Sequence, residues 1–116
     1  MTNPLRGEVN IELGSETYKA RLNIDALVRI ETELDQGILK LATRIAQADV
    51  RISELITVLK AALRGGGNDL QEKDVGKIIT DIGIVQASTE VAKLLATTLS
   101  DPEEREEKVG KPEEQI

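Results

Sequence analysis

Carboxylates are the side chains whose spacing comes closest to chemistry in this chain. Glu31 and Asp35 stand four residues apart, so on a helix they project together. A pair of acids can hold a divalent cation or pass a proton during hydrolysis. No second ligand set accompanies them, and the pair is read as a solvated helix face. Asp69, Glu72 and Asp74 form another acidic cluster. It falls at a helix start, where acids favour the positive end of the macrodipole, and needs no metal to explain it. The run Gly65-Gly66-Gly67 invites comparison with a phosphate-cradling loop. A Walker A loop ends in Lys and Ser or Thr, and a dinucleotide loop follows a strand. Here a helix precedes the glycines and Asn68-Asp69 follow, so the run is read as a helix stop and a flexible turn.

The rest of the catalytic toolkit is missing. The chain has no His, Cys, Trp or Phe, and Tyr18 is its one aromatic residue. It therefore has no imidazole to shuttle protons near neutral pH and no thiolate for attack or for zinc. The expectation is a protein that is not an enzyme, needs no cofactor or metal, and works by offering a surface.

The elements that would shape that surface follow from hydrophobic period. Val9, Ile11 and Leu13 alternate with Glu8, Asn10 and Glu12, and Tyr18, Ala20 and Leu22 with Thr17, Lys19 and Arg21. Period two on either side of Gly14-Ser15 predicts a hairpin over 7–23, with Glu8 and Glu12 facing Lys19 and Arg21. From Asn23, an N-cap residue, the period becomes helical. Ile24, Leu27, Ile30 and Leu34 mark the inner face of a first helix ended by Gly37. Ile38, Leu41, Ala42 and Ile45 mark a second. A third, capped by Ser53, turns Ile56, Leu59, Ala62 and Leu63 inward. The fourth starts near Gln71, with Asp74 at its third position and Leu70 and Val75 as a staple. It presents Ile78, Ile79 and Ile82 and closes at Gly83. The fifth runs from about Ile84 to Leu99, with Val91, Leu94, Leu95 and Leu99 inward, and Asp101-Pro102 blocks its continuation. Gly76 falls inside the fourth helix at a cost of about 1 kcal/mol relative to Ala. Close packing of two helices is the preferred reading there, and a partner's approach the alternative.

The fold class is thus α+β, an N-terminal hairpin followed by about five short helices. One small domain spans 1–99, with an acidic, disordered tail over 100–116. Residues 100–116 carry seven acids against Arg105, Lys108 and Lys111, leaving only −2 of the net −6 for the rest. No clustered basic surface is present, which argues against direct nucleic-acid binding. No apolar run approaches the roughly 20 residues of a membrane helix, and the first six residues lack a signal-peptide stretch. A cytoplasmic location without membrane contact is expected. The tail is read as a solvated charge run or a lure for a basic partner.

Several segments, taken in order, resemble the gene transfer agent family of phage tail assembly chaperones. They are Asn3-Pro4-Leu5-Arg6-Gly7-Glu8-Val9, Asn23-Ile24-Asp25-Ala26-Leu27 and Ile30-Glu31-Thr32-Glu33-Leu34. The most distinctive is Leu59-Lys60-Ala61-Ala62-Leu63-Arg64-Gly65-Gly66-Gly67, followed by Asp74-Val75-Gly76-Lys77-Ile78-Ile79. The resemblance covers about residues 3–99. Gln71 departs from it where the family often has Thr, as does Asp74 where Glu is more usual.

The resemblance implies a non-enzymatic part in building a phage-like tail. The chain would bind the tape-measure protein, the tail-tube protein or both during assembly in a bacterial host, with homo-oligomerisation as a further expectation. The hairpin edge, the loop Arg64, Gly65, Gly66, Gly67 and Asp69, and the tail residues Asp101, Glu103 and Glu104 are the expected partner-facing positions. One alternative is a tube or connector subunit retained in the particle; another is a small regulatory protein-binding module.

Overall fold

The hydrophobic period changes after Leu22, and the architecture changes at the same place. The computed structural model describes residues 8–100, in which two strands precede five helices. These are β1 (Val9–Leu13), β2 (Glu16–Ala20), α1 (Ile24–Leu34), α2 (Ile38–Ala46), α3 (Ile52–Gly65), α4 (Glu72–Ile82) and α5 (Ile84–Leu99). The α+β class read from the sequence is the one the chain adopts.

β1 and β2 pair antiparallel around a two-residue turn in which Gly14 takes φ +74°, a conformation that side chains resist. The register sets Val9 against Ala20, Ile11 against Tyr18 and Leu13 against Glu16. Ile11, Leu13 and Ala20 are buried on that shared face, with Val9 and Tyr18 half-buried beside them. The same register corrects the Glu12 half of the expected charge pairing. Thr17, not Lys19, stands opposite Glu12, and Lys19 faces Asn10.

α3 is the element around which the others pack. Leu55, Val58, Leu59, Ala62 and Leu63 are all fully buried, a broad stripe of helical spacing. α1, α4, α5 and β2 all lie against it. Each buried Leu or Val contributes about 1.5–3 kcal/mol relative to exposure, so this one stripe is a large share of the driving force. Ile30, Leu41 and Ile45, Val75 and Ile79, and Ala87, Val91, Leu94 and Leu95 complete an aliphatic core from the remaining helices.

Helix ends hold most of the surprises. Asn23 caps α1 as expected, its Oδ1 accepting the Ala26 N–H at 2.9 Å. Ile24, however, is 72 % exposed, because its position on α1 lies well round the helix from Ile30. Asp35, at φ 54°, ends α1 in the left-handed region, and Gly37 instead opens α2. Glu31 is not simply solvated: its Oε2 accepts the N–H of Ile38, the first residue of α2, at 2.8 Å. α3 is capped at Arg51 rather than Ser53. The Glu54 carboxylate accepts the Arg51 N–H at 2.8 Å, while a guanidinium, having no acceptor, leaves the return half of a capping box unmade. α4 begins as read, with the Gln71 N–H donating to Asp74 Oδ2 at 2.9 Å.

Candidate interaction surface

The three glycines after Arg64 do three different things. A Cβ on Gly65 would collide with the Arg21 carbonyl, and one on Gly66 with the Lys19 carbonyl and the Ala20 nitrogen. Gly67 faces open space but holds φ +96°. The end of α3 is thereby laid directly on the backbone of β2. Two hydrogen bonds fasten it there: Arg21 N–H donates to the Ala62 carbonyl at 2.9 Å, and Asn68 Nδ2 donates to the Lys19 carbonyl at 2.8 Å. The outer edge of β2 is therefore occupied at its Lys19 end. Arg64, in the last turn of α3, and Asp69, in the loop after it, stay exposed. Asp101, Glu103 and Glu104 lie outside the described residues.

Arg64 and Gly65 also line a groove of about 520 Å³ between α1 and α3. Arg29, Lys60 and Arg64 contribute cations to it, and Asp25, Glu33 and Glu72 carboxylates. Such a balanced wall cannot concentrate an anion as a phosphate site would.

A second groove, of about 360 Å³, runs between β1 and α5, with Asn10 and Glu12 on one wall and Glu90, Lys93, Leu94 and Thr97 on the other. Glu90 is only 7 % exposed. Its carboxylate accepts the Glu12 N–H at 3.4 Å and the Gln86 amide at 3.3 Å, with Lys93 Nζ at 3.5 Å. All three contacts are long.

Glu54 is the opposite case. It is 2 % exposed and accepts from Arg44 Nη1 at 2.8 Å, Arg44 Nη2 at 3.2 Å, Gln36 Nε2 at 2.8 Å and the Arg51 N–H. Burial alone would push its carboxyl up, but the hydrogen bonds from Arg44, Arg51 and Gln36 outweigh it and hold the group below the ordinary carboxylate range. Glu54 is thus locked as an anion that joins α2 to α3 and has no proton to give. Two of the other acids with candidate chemistry, Glu31 and Asp74, are employed at helix starts. Among the described residues no group of three or more such side chains is placed to hold a metal ion.

Residues 6–101 match the family model described as phage tail tube protein, GTA-gp10. The chain belongs to that family. The GTA-gp10 match takes in every element from β1 to α5, and hence both grooves and the junction of β2 with the end of α3. No curated protein and no solved structure matches the chain. Membership agrees with the gene transfer agent and phage tail resemblance read from the sequence, while the family description names the tube. In this GTA-gp10 member, sequence reasoning put Arg64 and the glycines on one loop, whereas Arg64 and Gly65 belong to the last turn of α3 and only Gly66 and Gly67 follow it, and it missed Asn68 and Glu90. Asn68 left a usable signal, an amide directly after a glycine run, where the free carbonyls of a helix end need donors. Glu90 left none, because its partner Glu12 is 78 residues away.

Proposed function

We propose that this chain is a non-enzymatic tail assembly chaperone that binds the tape-measure protein, the tail-tube protein or both, and leaves once the tail is built. One observation carries the reading: the described sheet has only two strands of five residues, and the end of α3 is fastened to the end of one of them. A tube wall that continues from subunit to subunit through strands needs two complementary edges on each copy. Here the end of α3 and Asn68 take the Arg21 N–H and the Lys19 carbonyl, which interrupts the outer edge of β2 at one end, and two five-residue strands make a small sheet. A small sheet with an interrupted edge suits a module that receives a partner. The helix faces add contact area, since Ile24 and Val28 on α1, Leu39 on α2 and Val85 on α5 are exposed aliphatics.

A second reading, a tube component retained in the particle, is favoured by the family's own description. Quantitative mass spectrometry of a producing culture separates the two. Abundant chain in the particle-free lysate with almost none in purified particles is the expected result. A fixed stoichiometric amount in particles would replace the chaperone with the tube component.

A further inference from the structure

The hairpin's register decides where its unused backbone groups point. Leu13 and Glu16 flank a two-residue turn and form its closely bonded pair, so Val9 and Ile11 also bond across to β2. Asn10 and Glu12 then turn their N–H and C=O groups away from β2, toward the groove along α5. The Glu12 N–H reaches Glu90 there at 3.4 Å. Among the described residues nothing bonds the Asn10 N–H or C=O.

Glu90 lies at the same place, buried and served only by long contacts. A carboxylate in that state, removed from water, gains most from a short, charge-assisted donor. From this juxtaposition we propose that the groove between β1 and α5 takes one extended segment of a partner protein as a third strand, with a Lys or Arg of that segment on Glu90. The proposal rests on reading the chain as a binding module. Charge selects the occupant. β1 of a second copy, Val9–Leu13, contains no Lys or Arg to bring to Glu90, so self-pairing through that strand leaves the carboxylate without a cation. Residues 101–116 would bring seven acids and three bases to an acidic wall.

The test uses a displayed library of random linear peptides of about eight residues, a common strand length, selected on the full chain. This probe is independent of which tail protein is the client, so its failure is separable from that of the chaperone reading. Selected peptides are expected to carry Lys or Arg and to slow exchange of the Asn10 amide when bound. Glu90→Gln, which keeps shape and removes charge, is expected to weaken them on the order of tenfold. Asn10→Pro, which removes a donor pointing away from β2, is expected to do the same. Peptides that bind without protecting Asn10 and ignore Glu90→Gln would overturn the proposal, as would a library yielding no binders. Self-association of the chain alone that Asn10→Pro abolishes would also overturn it, by making a second copy the occupant.

Discussion

Arg44 Nη1 lies 2.8 Å from Glu54 Oε2, and this contact ties the last turn of α2 to the first turn of α3. The pair is worth little as chemistry and much as architecture, because the loop between α2 and α3 carries few other long-range bonds. Its sign with pH is definite. The folded Glu54 carboxyl is held below its ordinary 4.5, so its contribution is complete above that value and disappears as pH falls through the folded value. Urea unfolding at several pH values is expected to show wild-type stability falling below about pH 4.5. Glu54→Gln should lose that component of the fall. At neutral pH it should cost about 1–3 kcal/mol, since its amide sets a donor against Arg44 or the Arg51 N–H.

Gly66 should tolerate no side chain. A Cβ there meets the Lys19 carbonyl and lies 2.8 Å from the Ala20 nitrogen, and both are backbone that cannot swing aside. Gly66→Ala is expected to destabilise by at least about 1–3 kcal/mol, read as a lower urea midpoint. It should also loosen β2 from α3, visible as faster exchange of the Arg21 amide, which bonds Ala62.

Gly76 should behave in the opposite way. The close helix approach that its position in α4 suggested is not there: a Cβ would find only Ile56 Cδ1, at an ordinary 3.9 Å. Gly76→Ala is expected to stabilise by about 1 kcal/mol through helix propensity alone. A rise in stability accompanied by weaker tape-measure binding in a pull-down would assign the glycine to a partner.

Ala48 carries backbone strain in the link between α2 and α3, at φ 64°. Left-handed backbone costs a non-glycine residue roughly 1–2 kcal/mol, partly offset on substitution by the greater freedom of glycine in the unfolded chain. Ala48→Gly is expected to give a net gain of about 0.5 kcal/mol by the same difference, seen as a higher thermal midpoint.

The glycine run shows how far the primary structure could be read. Gly65 to Gly67 were legible as a helix stop because that role depends only on the residues just before them. Their contact with Lys19 and Arg21 was not legible, since it joins segments more than forty residues apart and no local pattern records it. The capping errors have the same origin. Ser53 is a good cap by type, but Glu54 is drawn into the core by Arg44 and Gln36, and that sets the start of α3 at Arg51.

The sequence by itself determined the order and kind of the elements, the hairpin turn, the Asn23 cap, the Gly83 break and most of the aliphatic core. Those features arise from period and backbone preference among neighbouring residues. Only the tertiary structure decided where the end of α3 meets the hairpin, which glutamate is sealed by an arginine, and which is left at the lip of a groove. Each of those outcomes depends on segments distant in the chain meeting at ångström range, where close packing and hydrogen-bond geometry, rather than residue type, set the result.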